Sequence, residues 1–137
     1  MRKMIVATAV VVRGSTILVL KRSDAVKNFS SQWQLPEGKL EADETPGQAL
    51  RREVNEELNC EVTAAELSST NTTEGRVASG DIRVIRHVFR VEIAGDISLS
   101  SEHDQHHWLQ STELDTNKYD FTPGTLVIIK AVFRSVS

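Results

Sequence analysis

Met4-Ile-Val-Ala-Thr-Ala-Val-Val-Val12 is apolar at nearly every position. A run without alternation reads as a strand covered on both faces. Arg13-Gly14-Ser15 is a turn and Thr16–Leu20 a second apolar run, so the two predict a hairpin. Lys21 to Ser31 is polar and reads as a loop. Trp33-Gln-Leu35 is a short extended piece that stops at Pro36. Thr45, Pro46 and Gln48 then supply an N-cap, a first-turn proline and capping-box spacing. Leu50, Val54 and Leu58 recur every four residues, which predicts a helix with one buried stripe. Asn59 suits a left-handed helix end. Glu61–Thr73 and Ile82–Ile93 read as strands, joined by a loop Glu74–Asp81 that holds Gly75 and Gly80. Gly95-Asp96 is a turn and Trp108-Leu109 a short strand. Thr122-Pro123 opens a last amphipathic helix through Leu126, Ile129, Val132 and Phe133. The order β, β, helix, β, β, helix predicts an α/β fold, a mixed sheet between helices, in one domain over residues 1–137.

Composition narrows the partners. The 137 residues are 39% hydrophobic and 26% charged, an ordinary globular balance. The net charge is −3. Interspersed charge of that sign argues against a nucleic-acid polymer. It is compatible with a small nucleotide, whose phosphates a cation can neutralise. No stretch approaches the ~20 apolar residues of a membrane span. Two basic residues before the first apolar run raise a signal peptide as a rival, but the turn and second run favour the hairpin. Cys60 is the single cysteine, so no intrachain disulfide forms, which fits a cytoplasmic location. The oligomeric state is left open between monomer and homodimer.

The chemistry concentrates in Arg52-Glu53-Val54-Asn55-Glu56-Glu57. With ~100° per residue and Leu50 at zero, the apolar stripe spans roughly 0 to 80°. Glu56, Glu53 and Glu57 then fall at roughly 240, 300 and 340°. The three carboxylates therefore form one cluster along the edge of the buried face, with Glu53 and Glu57 one turn apart and pointing the same way. Taken alone, such a helix reads first as a solvated acidic face. Like charges so placed repel, and a hard divalent cation with oxygen ligands would offset that. Arg52, one turn before Glu56, could orient it.

The wider segment is more specific. Gly38, Glu44, Arg52, Glu53, Val54, Glu56 and Glu57 stand in the register of the Nudix box over residues 38–60, and Trp33-Gln-Leu-Pro-Glu-Gly38 resembles the family's lead-in to it. Asn59 stands where the family has Gly, Cys60 where it has an aliphatic residue, and Glu37 where many relatives have a second Gly. The resemblance implies an α/β/α sandwich and hydrolysis of a diphosphate linked to another group. It implies Mg²⁺, with Mn²⁺ as a substitute, on Glu53, Glu56 and Glu57, and a backbone approach to the metal near Gly38. Arg52 would orient a ligand carboxylate, and Glu44 would support the loop before the helix.

Beyond the box, Glu102-His103-Asp104, a few residues before Trp108, resembles a Glu-His segment of several Nudix enzymes, which implies Glu102 as the candidate general base or metal-binding acid, with Asp104 behind it. His103, His106 and His107 lack the spacing of a zinc site. Gly38 and Lys39 are candidate substrate contacts, and Trp33 or Phe121 could stack on a base. Markers of the ADP-ribose and dinucleoside-polyphosphate groups are absent around Gly75 to Ala78. A MutT-like (d)NTP pyrophosphatase giving NMP and pyrophosphate therefore leads. The alternatives are a dinucleoside-polyphosphate, nucleotide-sugar or ADP-ribose hydrolase, or a regulatory domain that binds nucleotide without turnover.

Overall fold

The computed structural model of the chain describes residues 2–26 and 28–136, without the side chain of Val136. Lys27, within the expected loop Lys21–Ser31, lies outside them. The elements are β1 (Arg2–Arg13), β2 (Thr16–Arg22), β3 (Trp33–Gln34), β4 (Glu37–Lys39), α1 (Pro46–Leu58), β5 (Glu61–Val77), β6 (Gly80–Ala94), β7 (His103–Leu109) and α2 (Thr125–Val136). A short 3-10 turn covers Ser111–Asp115.

The sheet runs β3-β2-β1-β6-β5, with β4 also paired to β1 and β7 to β2. It is mixed, because β1 and β6 run parallel while the other pairs are antiparallel. The unbroken apolar run of β1 has the cause expected of it. Ala7, Ala9 and Val11 face α1 with Leu18, Leu20, Phe89 and Val91, around Leu50, Val54 and Leu58. Val10 faces the other way with Ile17, Val19, Val88 and Leu109, against Ile128, Ile129 and Phe133 of α2. One helix covers each face, which is the α/β/α sandwich. Leu50, Val54 and Leu58 are fully buried, and each such side chain stabilises the fold by about 2 kcal/mol.

Helix α1 starts where the sequence places it. Thr45 accepts from Gln48 N, and the Gln48 side chain returns to the Thr45 backbone. Asn59 ends it at φ 57°. Glycine takes that conformation without the steric cost borne by a Cβ. Asn59→Ala is therefore expected to lower stability by about 1 kcal/mol and Asn59→Gly to hold or raise it, as thermal unfolding of the pair would read.

Four expectations change. The loop Glu74–Asp81 is mostly strand, since β5 continues to Val77 and the hairpin closes through Ala78 and Ser79 alone. Arg76 and Glu74 pair across it with Asp81 and Arg83 at 3.0 and 3.1 Å. The strand before Leu109 begins at His103, because backbone pairing with β2 extends through those polar residues. Glu37–Lys39, left without a structure in the sequence reading, pairs with β1 as β4. The last helix begins at Thr125 and not at Pro123, because Gly124 sits at φ 84° in the turn that precedes it.

Candidate active site

The angles of the three glutamates on α1 become a gradient of burial. Glu57 is 4% exposed, Glu53 is half-buried and Glu56 is exposed. Arg52 is the hub beside them. It donates to Glu44 at 2.7 and 2.9 Å, to Glu53 at 2.7 Å, to Glu56 at 3.3 Å and to the backbone oxygen of Lys39 at 2.9 Å. Its tightest carboxylate partners are thus Glu44 and Glu53, with Glu56 the looser one. These bonds join the β4 loop to α1. Arg52, with help from the Glu41 backbone N–H, holds the Glu44 carboxyl down to about 2. Glu44 accepts that N–H at 2.8 Å and so also pins its own loop.

Gly38 explains itself by distance. A Cβ there would lie 2.0 Å from Glu53 Cδ and 2.1 Å from its Oε1. Only a residue without a side chain lets β4 pass this close to the Glu53 carboxylate.

Glu57 is the anomaly of the site. Its Oε2 is buried and has no hydrogen-bond partner. Burial, then the charges of Glu53, Glu102 and Glu37, pushes its carboxyl well above the ordinary range. Burial likewise raises Glu53, against the pull of Arg52. Three carboxylates, Glu37 of β4, Glu53 of α1 and Glu102 just before β7, thus act on the buried Glu57. Ser98 N and Ser100 N donate to the carbonyls of Leu58 and Glu57 at 2.9 and 3.3 Å, which docks the segment before Glu102 on the end of α1. Among the described residues no trio of acidic, His or Cys groups already stands in cation-binding geometry, and here Arg52 engages Glu53 and Glu56. The donor set nonetheless fits a hard cation: carboxylate oxygens, an unpartnered buried oxygen and an excess of negative charge.

Next to this row opens a pocket of about 380 Å³. Glu37 and Lys39 line it, together with Arg22, Phe29, Gln34, Thr73, Arg86 and Thr122. Trp33 and Phe121 do not. They bridge one another, pack with Tyr119 at ring distances of 5.3 and 6.1 Å, and belong to the α2 side of the core. The ring at the pocket is Phe29, 42% exposed. The sequence pattern singles out neither Arg86 nor Gln34, and marks Glu37 only as a departure at a glycine position. The signal for Arg86 was available: Val84, Arg86 and Val88 share one face of β6, so a charge sits at an inward position. It is 8% exposed and donates to Glu37 at 3.2 Å.

His103, beside Glu102, is 3% exposed, and neither ring nitrogen has a partner. Burial, helped by the Arg22 charge, lowers its pKa to about 4 from 6.5. The unfolded chain therefore binds a proton between those values and the folded chain does not. Stability should be full above pH ~6.5 and fall towards pH ~4, by up to about 3 kcal/mol from this group. Urea titrations of His103→Leu over that range should show a flatter profile, and an unchanged slope would assign the loss elsewhere.

The comparisons agree with this geometry. The NUDIX domain family matches residues 3–131. The "Putative 8-oxo-dGTP diphosphatase 2" of Mycobacterium tuberculosis (strain CDC 1551 / Oshkosh) is 33% identical over 124 residues, covering 90% of this chain and 84% of that protein. The CTP pyrophosphohydrolase of Escherichia coli (strain K12) is 29% identical over 129 residues, covering 94% and 91%. A MutT NUDIX hydrolase from Burkholderia pseudomallei, solved by crystallography, superimposes with a TM-score of 0.79 at 24% identity, over 95% of this chain and 98% of that one, a likeness of fold. With the family match spanning nearly the whole chain and the box residues gathered around one buried glutamate, this chain belongs to the Nudix family of hydrolases.

Proposed function

We propose that the chain is a Mg²⁺-dependent nucleoside triphosphate pyrophosphohydrolase, in which water and a (d)NTP give an NMP and pyrophosphate. The observation that carries this is Glu57, a buried carboxyl with an unpartnered oxygen among like charges, one of which, Glu37, also lines a pocket of about 380 Å³. Two relatives support the substrate class, since their names specify 8-oxo-dGTP and CTP.

Glu53, Glu56 and Glu57 would hold the metal, with the backbone near Gly38 close by. Mg²⁺ there, or Mn²⁺ in its place, would offset phosphate charge and lower the pKa of a bound water. Arg52 keeps Glu53 and Glu56 turned toward the β4 loop. Glu102 would take the proton from the attacking water, a role supported by its exposure and by the action of its charge on Glu57. The pocket receives the nucleoside, and Lys39 at its edge faces the phosphates.

A panel of (d)NTPs, ADP-ribose, nucleotide sugars and dinucleoside polyphosphates, compared by kcat/KM in Mg²⁺, tests this. The triphosphates should lead by at least about tenfold. A lead for any other class would reassign the substrate. Tight binding of nucleotides with no turnover of any would favour a regulatory domain.

A further inference from the structure

The buried lining of the pocket has a hydrogen-bonding pattern of its own. Its buried polar residues are Gln34, Arg86 and Thr122, and their bonds fix what each can still offer. Arg22 Nη1 donates to Gln34 Oε1 at 2.7 Å. A guanidinium has only donors. It therefore holds the amide oxygen of Gln34 and leaves the amide N–H₂ to the pocket, since the reverse orientation would set donor against donor. Arg86 donates from Nε to Glu37, from Nη1 to Thr73 Oγ1 at 2.8 Å and from Nη2 to the Pro123 carbonyl at 3.3 Å. Of the five N–H groups of an arginine, two remain. The Thr122 hydroxyl is closed on Thr125 at 2.6 Å. Of the acidic lining, Glu37 Oε1 accepts from Thr8 as well as from Arg86, and Glu74, exposed, pairs with Arg83.

We propose that Gln34, oriented by Arg22, and Arg86 form a donor-lined seat that selects nucleotides whose base presents carbonyl oxygens, such as guanine and uracil, over adenine. The inference rests on the nucleotide reading above and names the class of base that site takes. Guanine offers adjacent acceptors at O6 and N7, whereas adenine places an amino donor beside N7. An amino group in this seat leaves buried donors facing a donor, and a site built for a hydrogen bond rejects the ligand that cannot make it.

Calorimetric titration in Mg²⁺ with α,β-methylene analogues of GTP, UTP and ATP separates binding from turnover, because the bond proposed to break is replaced by carbon. The guanine and uracil analogues should bind at least about tenfold tighter than the adenine one. Gln34→Glu exchanges the amide donor for an acceptor that Arg22 retains, and should move the ratio about tenfold toward adenine. If that variant does not fold, Arg22→Met frees the amide to rotate and should bring the ratio close to one. A wild-type preference within about threefold, no binding of any analogue, or a ratio unmoved in the folded variant overturns the proposal. Selective binding without hydrolysis of the natural triphosphates would overturn the pyrophosphohydrolase reading alone, and hydrolysis without selectivity would overturn the seat alone.

Discussion

Replacing Glu57 with Gln is expected to make the metal-free protein more stable while abolishing the proposed Mg²⁺-dependent activity. The two effects have one cause. Glu57 is nearly fully buried, one of its oxygens has no partner, and burial and three neighbouring carboxylates oppose its charge. A buried charge without a counter-ion is costly, so a neutral isostere should raise stability by about 1 kcal/mol or more. For a chain of this size that is a rise of roughly 3–6 °C in Tm. The pH dependence has a definite sign. The folded carboxyl holds its proton above the ordinary 4.5, where the unfolded one has released it. Stability of the metal-free wild type should therefore drop as pH rises from ~4.5 through the raised pKa, and Glu57→Gln should lack that component. The direction is opposite to that of His103, so the two variants separate the contributions. Activity should fall on the order of 10³-fold, because the metal's several kcal/mol of charge stabilisation goes with the ligand. A variant less stable than wild type at pH 8 without metal would mean that the carboxylate has a partner of its own.

Gly38→Ala is expected to cost about 10²-fold in kcat/KM with little loss of stability. The added Cβ meets the end of the Glu53 side chain, at 2.0 Å from Cδ, and not a rigid backbone. Glu53 can swing away at small cost to the fold, but a carboxylate displaced by about 1 Å no longer serves a geometry that must hold to a fraction of that. A double-mutant cycle checks the cause. Glu53→Ala and Gly38→Ala/Glu53→Ala should be equally inactive and equally stable, because the three atoms nearest the methyl group all belong to the Glu53 carboxylate. A further large loss in the double variant would place the effect of Gly38 in the backbone of β4 and not in Glu53.

Much of this site was legible because it lies on one helix. The turn angle puts Glu53, Glu56 and Glu57 together beside the buried stripe, and the caps Thr45, Gln48 and Asn59 fix where α1 starts and stops. The hairpin of β1 and β2 was legible because both strands are apolar on two faces. The rest depended on contacts distant in sequence. β5 is exposed along most of its length, so Glu74 to Val77 carry no alternation, and pairing with β6 alone extends through them the strand expected to end at Thr73. His103 to His107 are polar for a similar reason, being held by β2 through the backbone. Trp33 and Phe121 looked like base-stacking rings, but core contacts with Tyr119 take them, and Phe29 from a polar loop stands at the pocket instead. Glu37 looked like a departure at a glycine position. Its role became readable only once Arg86, 49 residues away, was seen to hold it.

The proposed role of the acidic row of α1 is Mg²⁺-dependent cleavage between the α and β phosphates of a nucleotide. Phosphorus NMR of the wild-type chain with a mixture of dNTPs, once in Mg²⁺ and once in EDTA, tests it most directly. The expected spectrum shows dNMP and pyrophosphate growing together in Mg²⁺ and neither in EDTA. Nucleoside diphosphate with inorganic phosphate, or turnover that persists in EDTA, would contradict it.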